Sequence, residues 1–336
     1  MFRGFHDYWQ TRKPVVDAAF TKTLCGLLEG ITLTDDTLLR DSLKSGKMIR
    51  GGLTCMINEA LGGILDAAVP RAISIEMIQA ATLIHDDFID GHTSRRGRPS
   101  TWTIEGARRA VLVGDVIFAF AIKMMSDLGK EDGALVSHAI AQVSRGALHE
   151  GLDPLAFARE IESGRVDKRL YEKIIYLKTA ILFGTACLLG AIAAKADLKL
   201  QEVFYRYGLR IGEAYQIADD LQEVKAHFAK GTINPDQMAA LTPLFLQFTN
   251  AMRPFAITLL RGEVAHLDGE GLGFFRDVQE LMEEEIESRL RLAMYEVEEN
   301  LRDNSYTELL RQAPRDIIEM FNVRERISDF SGTDNS

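Results

Sequence analysis

The sequence predicts an all-α protein organised as a single domain, residues 1–336. Three observations carry that expectation. Only eight prolines, at positions 14, 70, 99, 154, 235, 243, 254 and 314, interrupt 336 residues, and the long segments between them hold apolar residues at the helical period. Runs of alternating apolar and polar residues bounded by turn pairs, the mark of half-buried strands, are essentially absent. Neither a Gly/Ser/Pro-rich linker nor a repeat of roughly 20–50 residues divides the chain.

In chain order, residues 1–20 read as an N-terminal helix or arm. Met1 to Trp9 mix aromatic residues with Arg3, His6 and Asp7, so no secretory leader is expected. Pro70 falls where a first helical turn would accept it, and Ile73, Met77, Ile78, Ala81 and Ile84 follow at helical spacing towards Asp90. The most apolar uncharged run, Thr179 to Ala194, lies between Lys178 and Lys195 and is shorter than the roughly 20 residues that cross a bilayer. It reads as a buried core helix, with no membrane span. Residues 226–243 contain Lys230-Gly231 and Asn234-Pro235 and read as a long variable loop. From Glu280 to Glu299, acidic residues surround Leu281, Ile286, Leu290, Leu292 and Met294, the pattern of a solvated amphipathic helix. Residues 330–336 read as a disordered tail.

Composition sets outer limits. A chain 46% hydrophobic and 26% charged is a globular protein with a sizeable core, which excludes disorder for most of it. The net charge of −10, from 49 acidic and 39 basic residues, argues against a nucleic-acid partner held by bulk charge. It leaves room for an anionic substrate at a local basic cluster. Cys25, Cys55 and Cys187 are far apart and show no metal spacing. They read as buried thiols in a reducing, cytoplasmic compartment.

Two segments carry chemistry: LIHDDFID, Leu83 to Asp90, and YQIADDLQE, Tyr215 to Glu223. Asp86, Asp87 and Asp90, like Asp219, Asp220 and Glu223, stand at i, i+1 and i+4. At 100° per residue these fall at about 0°, 100° and 40°, on one helix face. Clustered carboxylates repel one another unless a cation compensates, and oxygen-only ligands suit Mg²⁺ completed by water and substrate phosphates. Gln79 lies about 20° from Asp86, and Gln216 about 60° round, within the arc of Asp219 and Asp220. Lys47 and Arg50 share a face in SGKMIRG, and Arg95, Arg96 and Arg98 follow the first acidic cluster. Arginine forks and lysine point charge bind diphosphate; the competing reading is an ion pair of Arg95 or Arg96 with Asp87 or Asp90. Lys178, beside the most apolar run, would be costly without an anionic partner.

With these residues in hand, the chain resembles the trans-polyprenyl diphosphate synthase family from about Lys44 to Phe321. The resemblance rests on GKMIR (family GKRxRP), LIHDDFID followed by RRGRPST, VLVGDVIFA, YLKTAILF and YQIADDLQE. It implies a single-domain isoprenoid synthase bundle of helices around a deep central cavity, with the two acidic motifs facing each other at its mouth. It implies a Mg²⁺-dependent prenyltransferase, with three ions when substrate is bound, that condenses isopentenyl diphosphate with an allylic prenyl diphosphate. Asp86, Asp87, Asp90, Asp219, Asp220 and Glu223 would hold Mg²⁺. Lys47, Arg50, Gln79 and Arg96 would hold isopentenyl diphosphate; Arg95, Lys178, Thr179 and Gln216 would contact the allylic diphosphate or departing pyrophosphate. Released pyrophosphate would take the final proton, so His85 is read as a packed, hydrogen-bonded histidine. A homodimer is implied.

Departures are equally specific. Glu223 stands where the family has Asp, and Gln79 where it commonly has His. The stretch after Glu223 lacks the family's second lysine, with Ala239 and Ala240 near its place and Lys225 or Lys230 as substitutes. Ala81 and Thr82, five and four residues before the first Asp, govern chain length by their bulk in this family. Neither is aromatic, which implies products of C20 or longer, in the C25–C40 range. Alternative readings are a non-catalytic or regulatory subunit of a heteromeric synthase and a class I terpene cyclase, although DDLQE does not match the cyclase's second motif. An HD-type phosphohydrolase lacks its further upstream histidine, since only His6 precedes His85.

Overall fold

The computed structural model describes residues 2–30, 33–34, 46–148, 153–166, 169–230, 235–248, 253–262 and 269–328. In chain order these form α1 (Phe5–Leu28), α2 (Ile49–Ala60), α3 (Leu65–Ile89), the strands β1 (Ser94–Arg95) and β2 (Arg98–Pro99), α4 (Thr101–Glu105), α5 (Ala107–Leu128), α6 (Lys130–Ala147), α7 (Pro154–Glu162) and α8 (Leu170–Ile175). A π-helical turn over Tyr176–Ala180 follows, then α9 (Ile181–Ala193), α10 (Leu198–Lys230), α11 (Pro235–Phe248), α12 (Arg253–Leu260), α13 (Gly269–Asn300) and α14 (Thr307–Ser328). The all-α reading holds; one antiparallel two-residue hairpin is the only sheet among the described residues.

Contacts group the chain into two compact units. The first takes Met1–Ile140, Gly184–Arg206 and Val297–Ile317; the second takes Ala141–Phe183, Tyr207–Glu296 and Ile318–Ser336. In the first, α3 packs against α2 and α5, and α1 packs against α2 and α3. Gly52 makes the α1 approach possible, because a Cβ there would stand 2.9 Å from Phe5 Cζ and 3.0 Å from Trp9 Cδ2. Arg12 grips Glu59 at 2.7 Å, and the Tyr8 hydroxyl donates to the same carboxylate. Burial pushes the Tyr8 phenol well above its ordinary range. Arg71 holds the buried Asp132 through two hydrogen bonds. In the second unit, α7, α8, α10, α11, α12 and α13 bury a core that includes Phe157, Ile217, Leu221, Met238, Leu244 and Phe275.

Three sequence expectations need correction. First, residues 226–243 are no long loop: α10 continues to Lys230 and α11 starts at Pro235, with Pro243 inside it. Residues 231–234 lie outside the described ones. Pro235 sits at the first position of α11, where its missing N–H costs nothing. Burial of Val224, Met238, Ala239, Leu241 and Leu244 then decided for helix on both sides. Second, α3 begins at Leu65, so Pro70 is its sixth residue rather than its first turn. Third, Cys25 is exposed; Cys55 and Cys187 are buried, and all three are free. Burial pushes the Cys55 thiol up to about 12. The amphipathic helix expected over Glu280–Glu299 lies within α13, with Ile286 and Leu290 in the core and Leu281 and Leu292 exposed.

The N-terminal helix expected near residues 1–20 is α1. Residues 330–336 lie outside the described ones. Leu65–Ile89 and Leu170–Ala193 are long and apolar enough to cross a membrane by composition. Their most apolar windows are 61% and 78% buried within the protein, as core helices are.

Candidate active site

The first acidic cluster closes α3. Asp87 is buried, Asp86 is half-buried, and Asp90, which caps the helix with its N–H bonded to the Asp86 carbonyl at 2.8 Å, is exposed. The three carboxylates therefore do not share one environment. Asp87, about 100° round from Asp86, turns inwards. There Arg95 meets it, with Nε and Nη2 at 2.7 and 2.6 Å from Oδ1. The competing ion-pair reading is thus realised for Arg95 and Asp87. His92, which the sequence did not single out, lies 3.9 Å from both Asp87 and Asp90.

Arg95 and Arg96 sit on the β1–β2 hairpin. Arg95 pairs with Arg98, and Arg96 and Gly97 between them have φ of 56° and 74°. Both are left-handed, the requirement of a two-residue primed turn, which costs a non-glycine residue about 1 kcal/mol. The turn sends Arg95 to Asp87 and brings Arg96 to the start of α2, where a Cβ on Gly46 would stand 3.3 Å from Arg96 Nη1. Lys47 leads into α2; its carbonyl accepts the Trp9 indole N–H at 2.7 Å. Arg50 and Arg96 both act on the buried Glu76, whose carboxyl burial raises while the Gly51 N–H and these cations pull it back. Five of the expected diphosphate ligands, Lys47, Arg50, Gln79, Arg95 and Arg96, thus belong to one unit, and Lys47, Arg50 and Arg96 gather around the α2 N-terminus. Gln79, half-buried one turn after Glu76, accepts the Thr82 hydroxyl on its carbonyl at 2.9 Å. Ala81 is buried.

His85 is packed as expected. Its Nε2–H donates to the Val111 carbonyl at 3.1 Å, and its ring meets Phe118 edge-on. Gly114 leaves room for it: a Cβ there would stand 2.2 Å from His85 Nε2.

The second cluster, in the other unit, repeats the pattern. Asp219 and Glu223 are exposed, whereas Asp220 is tied down. Tyr171 donates its hydroxyl to Asp220 Oδ2 at 2.8 Å, and Gln216 donates its amide to Oδ1 at 2.9 Å. The buried Thr179 hydroxyl donates to Gln216 Oε1 at 2.5 Å, completing a chain of four side chains. Burial pushes the Asp220 carboxyl up to about 7, against the pull of these two donors and Lys178. Lys178 and Thr179 sit on the π-helical turn, which admits one extra residue per turn and so reorients them. Lys178 is exposed, so the burial cost expected for it does not arise. His227, one turn beyond Glu223, lies 3.7 Å from its carboxylate, and Lys225 is engaged with Glu283 at 2.8 Å. Nothing in the sequence marked Tyr171, an unremarkable aromatic residue seven before Lys178.

Among the described residues, no group of three His, Cys, Asp or Glu side chains is close enough to hold a metal ion unaided. The donors suit Mg²⁺ in its usual manner, with exposed carboxylates supplying a few oxygens and water and phosphate the rest. A closed protein cage is not offered.

Comparisons with known proteins bear on the family and the fold. Residues 36–234 match the family model described as Polyprenyl synthetase. The chain is 33% identical over 177 residues to the geranylgeranyl diphosphate synthase of Mycobacterium tuberculosis, covering 53% of this chain and 50% of that one. It is 34% identical over 212 residues to the geranylfarnesyl diphosphate synthase of Aeropyrum pernix, covering 58% and 64%. The chain thus spans between half and two-thirds of the length of these curated relatives. In fold it is similar to a decaprenyl diphosphate synthase from Rhodobacter capsulatus, with a TM-score of 0.73 over 94% of this chain and 99% of that one, at 22% identity. With the family model matching more than half of its length, the chain belongs to the polyprenyl synthetase family.

Proposed function

We propose that this chain is a Mg²⁺-dependent prenyltransferase that condenses isopentenyl diphosphate with an allylic prenyl diphosphate into a trans-polyprenyl diphosphate. One observation carries the reading. At the end of α3, the half-buried Asp86 and exposed Asp90 stand beside a hairpin whose Arg96 is brought to the Lys47–Arg50 segment, so anion ligands and metal ligands adjoin.

Breaking the allylic C–O bond leaves a carbocation and a highly charged pyrophosphate. Mg²⁺, three ions in the family pattern, supplies positive charge where that negative charge develops. Asp86, Asp90, Asp219 and Glu223 are its proposed ligands. Asp87 and Asp220 act by holding Arg95 and Gln216. Lys47, Arg50, Gln79 and Arg96 bind the homoallylic diphosphate; Arg95, Lys178, Thr179 and Gln216 bind the allylic one. Their fixed charge lowers the barrier without reorganising during the reaction. The nascent cation must meet the double bond before water, which calls for apolar walls around it. His85 gives its Nε2 proton to a backbone carbonyl, so it is not assigned as base; released pyrophosphate takes the final proton.

Ala81 and Thr82 present little bulk, and the Thr82 hydroxyl is already bonded to the Gln79 carbonyl. This supports products of C20 or longer, in the range C25–C40. Leu112 and Val116, one turn apart on α5, are exposed and support a homodimer. The three free thiols are consistent with a cytoplasmic setting.

The test is elongation by purified protein with Mg²⁺, isopentenyl diphosphate and allylic primers of several lengths, with products sized by chromatography. Linear products of C20 or longer are expected. Products confined to C15 would refute the chain length, cyclic hydrocarbon from primer alone would identify a cyclase, and no elongation with any primer would favour a non-catalytic subunit.

A further inference from the structure

Lys47 stands just before α2 and Arg50 in its first turn, and the residue at the cap position gives that turn no side-chain acceptor. Met48, at the cap position, is in the left-handed region with φ 53°, and its own side chain makes no capping hydrogen bond to the turn's free N–H groups. The acceptor comes from α3 instead. Glu76 Oε1 accepts the Gly51 N–H at 2.7 Å, and both partners are buried. Gly51 permits the approach, since a Cβ there would stand 3.1 Å from Glu76 Cγ and 3.4 Å from the Ala72 carbonyl. On the other flank, Trp9 holds the Lys47 carbonyl at 2.7 Å. The turn is therefore fixed at two backbone atoms by side chains distant in sequence.

We propose that Glu76 is a positioning residue for the diphosphate-binding turn: it caps α2 from α3 and thereby sets where Lys47 and Arg50 stand. A carboxyl oxygen accepts the Gly51 N–H whether or not Glu76 is ionised, so the role needs the acceptor, not the charge. The naming of the ligand as isopentenyl diphosphate rests on the reaction proposed above; the cap does not.

The experiment compares wild type with Glu76→Gln, which keeps an acceptor oxygen, and Glu76→Met, which fills the same shape without one. Amide hydrogen exchange across residues 46–54 reads the cap. The Michaelis constants for isopentenyl diphosphate and for the allylic primer read its consequence. Glu76→Met is expected to raise both the exchange rate of this turn and the KM for isopentenyl diphosphate by about tenfold, the loss of one strong hydrogen bond. The primer's KM should stay within about twofold, and Glu76→Gln within about threefold of wild type throughout. Unchanged exchange in Glu76→Met, equal losses for both substrates, or Glu76→Gln as impaired as Glu76→Met would each overturn the proposal. If Glu76→Met does not fold, Glu76→Asp, whose shorter carboxylate retreats from the N–H, must show the raised KM; normal values there refute the cap. If wild type performs no condensation, the proposed function fails instead. The exchange data and binding of inorganic pyrophosphate then judge the cap alone.

Discussion

The ion pair of Asp87 and Arg95 offers the sharpest test of how the first cluster is built. Arg95 places two nitrogens within 2.7 Å of one carboxylate oxygen, with the Asp87 side chain 6% exposed and that of Arg95 32% exposed. Two unit charges about 4 Å apart attract by about 4 kcal/mol at an effective dielectric constant near 20. Desolvation and the open side of Arg95 reduce this to a net coupling of about 1–2 kcal/mol. Arg95→Met strands a buried carboxylate and should cost about 3 kcal/mol, whereas Asp87→Asn keeps the shape and some hydrogen bonding and should cost about 1 kcal/mol. The double variant should be more stable than the sum of the two losses predicts. Urea denaturation of all four proteins in chelator closes the cycle. Because the pair is largely buried, the coupling should persist at high salt. A coupling below about 0.3 kcal/mol would refute the pair, and Arg95 would then be a ligand-binding group only.

Three further outcomes are expected. Asp86→Asn should lower elongation by orders of magnitude with an unchanged circular dichroism spectrum, and near-normal turnover would remove Asp86 from the metal site. Gly114→Ala forces a Cβ to within 2.2 Å of His85 Nε2, so the His85–Val111 bond must yield and stability should fall by about 1–3 kcal/mol; an unaltered melting temperature would contradict that packing. Burial raises the Glu76 carboxyl above its unfolded value. The folded state therefore keeps this proton longer than the unfolded one, so stability is lost as pH rises from the ordinary carboxylate range through the folded pKa. Glu76→Gln should remove that slope in melting temperature against pH, and an identical slope in both proteins would show that Glu76 does not supply it.

The helical class was legible because periodicity and sparse proline are properties of the chain itself. So were the two acidic clusters, whose i, i+1, i+4 spacing survives any packing. Their division of labour was not. Asp86 and Asp87 are chemically identical neighbours, and only the tertiary structure decides that Asp87 is the buried one and that Arg95, on a primed hairpin, meets it. Asp219 and Asp220 repeat the lesson: Tyr171 and Gln216 converge on the second carboxylate from residues that sequence analysis either overlooked or assigned to substrate. The supposed loop failed for a related reason. Pro235 opens a helix, and a breaker in the sequence says nothing about how much helix flanks it on either side.

By itself, then, the sequence determined which residue types recur at which helical phase: an all-α chain with two sets of carboxylates and a separate set of cations. Tertiary structure alone decided which of those charges are spent on the protein and which remain available to a ligand. Burial, ion pairing and the Glu76 cap depend on side chains tens of residues apart meeting at hydrogen-bond distance. Such meetings are fixed by the packing of whole helices, which no local spacing encodes.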